Sequence, residues 1–150
     1  MFSLFKKKDF FSKEENDRII AAIRDAEKST SGEVRVFVEA RCKFIDPMDR
    51  ALEIFAELQM QNTKDRNAVL VYVAIKDRQL AVYGDSGINA KTGEQYWKEE
   101  VAKMISEFNK NHYADGISEC VKDIDEALQT YFPYDKQTDK NELPDEIIFG

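Results

Sequence analysis

The side chains best suited to chemistry in this chain are three carboxylates, Glu33, Asp65 and Asp85. Each sits in a short polar stretch between apolar runs: Ser31-Gly32-Glu33, Lys64-Asp65-Arg66-Asn67 and Gly84-Asp85-Ser86-Gly87. Together with Asn67 and loop carbonyls they offer hard oxygen ligands, a set that suits Ca²⁺ or Mg²⁺ rather than a soft metal. Ser31, Gly32, Gly84, Ser86 and Gly87 complete the supporting loops, and the glycines permit left-handed turns that would aim carbonyls inward. The spacing is not that of an EF-hand loop. The plainer alternative is that Asp65 and Asp85 form turns while Glu33 pairs with a nearby lysine or arginine.

Several other kinds of chemistry are excluded by counting. His112 is the only histidine, so paired-histidine zinc motifs are absent, and it reads as a polar residue near a helix C-terminus. There is no P-loop and no Gly-rich dinucleotide turn. Cys42 has neither the arginine spacing of a phosphate-cradling loop nor a nearby histidine to activate it. Asp123-Ile124-Asp125 resembles a fragment of an aspartyl-phosphate motif, but it falls inside a helical stretch and reads as a solvated face. Arg41, Cys42, Asp46, Asp77 and Arg78 form a rival cluster at the carboxyl ends of the expected parallel strands. Its mixed charge suits a phosphate better than a cation.

The carboxylates converge only if the surrounding elements place them together. Ser12-Lys13-Glu14-Glu15 is a capping box, and Ile19, Ile20, Ile23 and Ala26 mark one face of the helix it starts. Val34–Val38 alternates but carries Phe37 on its second face, which predicts a strand covered on both sides. Asp46-Pro47 opens a second helix with a stripe of Leu52, Phe55 and Leu58. Ala68–Ile75 is apolar on both faces and β-branched, as a central strand requires. Lys76-Asp77-Arg78 then turns the chain into a hairpin with Gln79–Tyr83, although it lacks an Asn-Gly or Asp-Gly signature.

Thr92-Gly93-Glu94-Gln95 reads as another capping box, followed by Trp97, Val101, Met104 and Phe108 at helical spacing. Asp115-Gly116 opens the last helix, with a stripe of Ile117, Val121, Ile124, Leu128 and Tyr131, and Pro133 ends it. The strand–helix–strand portion predicts parallel strands joined by a right-handed crossover, and the hairpin adds an antiparallel one. The expected fold is therefore a three-layer α/β/α sandwich with a small mixed sheet and about four helices. Because the hairpin reverses the chain, the three acidic loops should gather at one end of that sheet. The domain spans residues 10–132, with an N-terminal arm at 1–9 and an acidic tail at 133–150 whose Ile147-Ile148-Phe149 is apolar enough to dock.

At 150 residues the chain suits one domain with a full core. A net charge of −7 argues against nucleic acid, whose phosphates would be repelled. No apolar run is long enough for a transmembrane segment, and the start places its lysines after its apolar residues, the reverse of a secretory signal. Two distant cysteines read as reduced thiols, Cys120 in the core, which points to a cytoplasmic location.

The same loops resemble a known family. Ser31-Gly32-Glu33-Val34-Arg35-Val36 is similar to its small residue–Gly–Glu strand opening. Arg66–Ala74 is similar to its Asn–Gly–Val–Leu strand, with Ala68 in place of the usual glycine. Asp77-Arg78 followed by Gly84-Asp85-Ser86-Gly87-Ile88 is similar to its hairpin and glycine turn. These motifs resemble the TPM domain, found in a thylakoid-lumen phosphatase-like protein, a photosystem II repair factor and an acetylcholine-receptor accessory protein. The ending Asn141–Glu146 resembles that of short single-domain bacterial members. The resemblance implies an α/β/α sandwich, divalent-cation binding in an acidic crevice and an acid-phosphatase activity. Arg66 stands where relatives often place an aspartate, which removes one possible ligand.

Two functions follow as expectations. The first is a cation-binding or protein-interaction domain, its partner unidentified, without robust catalysis of its own. The second is a metal-dependent phosphomonoesterase in which Asp85, Asp65 and Glu33 hold a cation that polarises phosphate and activates water.

Overall fold

The computed structural model describes residues 10–43, 46–134 and 147–150. The N-terminal arm and the Asn141–Glu146 ending lie outside the described residues. In chain order the elements are α1 (Lys13–Ser29), β1 (Glu33–Glu39), α2 (Pro47–Glu57), β2 (Ala68–Ala74), β3 (Gln79–Gly84), α3 (Ser86–Thr92), α4 (Glu94–Phe108), α5 (Tyr113–Tyr131) and β4 (Ile147–Phe149).

The four strands form one mixed sheet in the order β3-β2-β1-β4. β1 runs parallel to β2, with Glu33 opposite Ala68, and parallel to β4, with Phe37 opposite Ile148. β3 runs antiparallel to β2, with Gly84 opposite Val69. The apolar end of the chain thus enters the sheet as an edge strand rather than lying on its surface. The hairpin needs one left-handed residue where the sequence offers no Asn-Gly, and Arg78 takes that conformation at φ 51°.

Side chains alternate between the faces of the sheet, so two cores form. Val34, Val36, Val38, Val69, Val71 and Val73 pack under α1, α3, α4 and α5. Phe37, Leu70, Tyr72, Ala81 and Ile148 pack under α2 alone. This is the three-layer sandwich, with five helices. Phe37 and Tyr72, opposite each other in neighbouring strands, stack with ring centroids 6.2 Å apart.

Local signals act largely as read at the first two helices. The Ser12 hydroxyl accepts from Glu15 N at 3.1 Å, while Ser12 N donates back to the Glu15 carboxylate at 2.8 Å. Asp46 accepts from Met48 N at 2.9 Å ahead of Pro47.

Four readings are corrected. The buried residues of α2 are Ala51, Ile54 and Phe55, and Leu52 is 42% exposed, because the helix turns the Ala51–Ile54–Phe55 face to the sheet. Tyr131 is likewise 43% exposed at the end of α5. Val101 is only partly buried and Glu100 takes the core position beside it. Thr92 and Gln95 make no capping box: Thr92 is the last residue of α3, and Gly93, at φ 79°, joins α3 directly to α4 without a side-chain cap.

Candidate functional site

The three acidic loops do meet at one end of the sheet. Glu33 N donates to Asn67 O at 3.4 Å, Asn67 Nδ2 to Ser31 Oγ at 3.4 Å, and Gly87 N to Arg66 O at 2.8 Å. Asp85 N donates to Ala68 O at 2.9 Å, which extends the β2–β3 ladder into the cluster. The glycines serve closeness rather than left-handed turns. A Cβ on Gly87 would fall 1.9 Å from Asp65 O, and one on Gly84 would fall 2.2 Å from the Trp97 ring. Among the described glycines only Gly93 has a positive φ; the left-handed residue of this cluster is Arg66 itself, at φ 50°.

The carboxylates have different fates. Asp85 is completely buried and caps α3, its Oδ1 accepting from Ser86 N at 2.7 Å. Arg66 grips the same carboxylate with a fork, Nε to Oδ2 at 2.6 Å and one terminal nitrogen to Oδ1 at 2.9 Å. The neighbouring carboxylate raises the Arg66 pKa through these bonds first and its charge second. Asp65 points into solvent, whereas Glu33 is buried at the start of β1 in register with Ala68. The three do not form one ligand set. Among the described residues no group of three or more His, Cys, Asp or Glu side chains is gathered closely enough to hold a metal ion. A divalent cation at Asp85 would need the lone pairs that Arg66 and Ser86 already use, so the residues present do not fit one there.

The opposite end of the sheet is equally occupied. Asp77 accepts from Arg41 at 2.9 Å and from Cys42 N at 2.8 Å, and Asp46 is spent on capping α2. Deeper in the same end, Glu39 accepts from Arg50 Nε at 2.9 Å and from a second guanidinium nitrogen at 3.0 Å. Tyr72 donates its hydroxyl to Glu39 Oε2 at 2.5 Å, and the Arg50 guanidinium lies 5.6 Å from the Phe37 ring centre. His112 lies near the C-terminus of α4, as read: its N–H donates to Glu107 O at 2.9 Å and its Nδ1 is 3.2 Å from the Glu107 carboxylate, and it directly precedes α5.

Sequence reasoning missed a third acidic feature. Glu100 lies beneath the α4–α5 contact, only 2% exposed, and shares the Lys103 ammonium with Asp123 at 3.2 Å each. Burial first, and Asp123 second, push its carboxyl up to about 7, against the pull of Lys103. Cys120, buried beside them, has its thiol pushed well up by burial and then by Glu100, so it is a poor nucleophile. The signal was present: Glu100 follows Trp97 by three residues and precedes Met104 by four, which places it on the buried stripe.

A largely apolar concavity runs along the outer edge of β3, between the two helix layers. This groove, of about 430 Å³, is walled by Met48 and Leu52 of α2, by Val82 and Tyr83, and by Trp97 and Lys98 of α4. The Trp97 indole N–H donates to Asn89 at 2.8 Å, which fixes the ring as one wall.

Several known proteins share this architecture. The BA42 protein of the psychrophilic bacterium Bizionia argentinensis, an NMR structure, is 40% identical, with 97% of this chain and 99% of that chain covered and a TM-score of 0.86. The N-terminal domain of a P. gingivalis protein shares the fold at 17% identity, over 83% of this chain and 80% of its own, with a TM-score of 0.67. The N-terminal domain of a Corynebacterium glutamicum protein does so at 12% identity, over 96% and 94%, with a TM-score of 0.63. No curated protein matches the chain. Residues 4–127, which take in every loop of the cluster, match the TPM domain, and the chain belongs to that family.

Proposed function

We propose that this TPM domain is a binding domain that docks a protein partner and has no phosphoester turnover of its own. The observation that carries this reading is the apolar groove beside β3, where Leu52 is 42% exposed next to the fixed Trp97 wall. Exposed aliphatic and aromatic surface at a concave site is the usual signature of a contact region. The net charge of −7 favours a partner whose apolar segment is flanked by basic residues. The phosphomonoesterase alternative asks Asp85 to hold a cation, and Arg66 already occupies both of its oxygens.

A photo-crosslinking side chain at Glu94, on the groove rim, should give one discrete adduct in the source cells. Leu52→Asp should abolish that adduct, whereas Ile105→Asp, on an exposed part of α4, should leave it intact. An adduct indifferent to Leu52→Asp, or no adduct, removes the docking reading. Phosphate-ester hydrolysis with Mg²⁺ or Ca²⁺ should stay at background in wild type and Asp85→Ala alike. A wild-type rate that disappears in Asp85→Ala would restore the enzyme alternative.

A further inference from the structure

We propose that the Arg66 guanidinium is a built-in cation that stands in place of a divalent metal ion at the three-loop end of the sheet. The cluster is therefore assembled without Ca²⁺ or Mg²⁺. A metal at this point would do two things: neutralise the buried Asp85 and tie the β2 entry loop to the β3 exit loop. Arg66 does both. Its side chain forks onto Asp85 at 2.6 and 2.9 Å, and its carbonyl accepts from Gly87 N at 2.8 Å and Ile88 N at 3.3 Å. A guanidinium stays charged at every physiological pH and matches a carboxylate in two-point geometry, so the neutralisation is permanent.

The backbone is committed to the same arrangement. Arg66 holds a left-handed conformation at φ 50°, which a long side chain adopts at some cost. That conformation accompanies the two bonds to its carbonyl. Gly87 closes the remaining space, since the Asp65 carbonyl lies where its Cβ would be, at 1.9 Å. Ca²⁺ would need six to eight oxygens, whereas the buried carboxylate of this point has both oxygens already bonded and the Arg66 carbonyl beside it already accepts twice. The inference concerns the loop cluster alone and stands whether or not the β3 groove docks a partner.

The test is a titration of the full chain, followed by amide resonances, with CaCl₂ and MgCl₂ up to roughly 10 mM, above the range of weak extracellular sites. The amides of Asp65–Asn67 and Asp85–Gly87 and the Arg66 Nε–H should move no more than in NaCl of equal ionic strength. Arg66→Asn and Arg66→Asp both tolerate a left-handed backbone. Each should gain saturable Ca²⁺ shifts confined to these loops, with the Asp variant binding at least tenfold more tightly. Saturable wild-type shifts in these loops would overturn the proposal, as would two folded variants that gain none. If the Asp variant is unfolded alone, recovery of its circular dichroism by millimolar Ca²⁺ supports the proposal, and failure to recover counts against it.

Discussion

Two arginine–carboxylate forks hold opposite ends of this sheet, and they differ in which partner is buried. At the carboxyl ends of β1 and β2, Arg50 and Glu39 are both largely buried, 16% and 12% exposed, and Tyr72 adds a third donor. At the other end Asp85 is wholly buried, yet the Arg66 side chain is half exposed. A fork with both partners inside is a structural commitment, because neither ion can return to water without unfolding its surroundings. A fork with one arm outside is asymmetric: the buried acid needs the arginine, but water can receive the arginine if the acid is removed. The α4–α5 contact offers a third arrangement, in which buried Glu100 has the exposed Lys103 as its counter-ion among the described residues. The geometry of the counter-ion, more than the burial of the acid, separates scaffold from site.

The contrast is broken most directly at Glu39. Glu39→Ala removes the shared acceptor of the Tyr72 hydroxyl and of two Arg50 nitrogens and leaves Arg50 its more exposed partner Glu53, so urea unfolding should show a loss of about 3 kcal/mol, the low end for a broken buried pair. A loss near that of a surface pair would mean that Arg50 escapes to solvent and that the two forks are alike.

Glu100 sharpens the comparison through pH. The folded chain keeps its carboxyl protonated up to about 7, whereas the ordinary value is 4.5. Between those values the folded state holds the extra proton, so stability should fall as pH rises from about 4.5 to 7 and change little beyond. The expected loss is roughly 2 kcal/mol, below the full shift because the solvent-exposed Lys103 screens the Glu100 charge. Glu100→Gln should flatten this slope in denaturation series across that range, and an unchanged slope would assign it to other groups.

Asp85→Ala should cost the least, about 1 kcal/mol, chiefly the lost cap of α3, because Arg66 can turn into water. A loss as large as that of Glu39→Ala would make the Arg66 fork a structural element of the same kind.

Much of the architecture was legible because it rests on local chemistry. The two-sided apolar run Ala68–Ala74 could only be a central strand, and Ser12 and Asp46 announced their helices through hydrogen bonds within a few residues. The convergence of the three loops was legible too, since strand direction follows from the connections. What escaped was orientation. Leu52 and Ala51 are neighbours on α2, and spacing alone did not say which would face the sheet. Asp85 was readable as a ligand or a cap; its role depended on where a half-exposed arginine nineteen residues away would reach.

By itself, then, the sequence determined the sandwich, its mixed sheet and the end at which its acidic loops meet, because periodicity and capping act over short distances. The tertiary structure alone decided what those loops hold. Only the folded chain brings Arg66 against Asp85, buries Glu100 under α5 and leaves a groove beside β3. The physical reason is that a carboxylate's chemistry is set by its nearest counter-charge, and in this protein each one is chosen by packing.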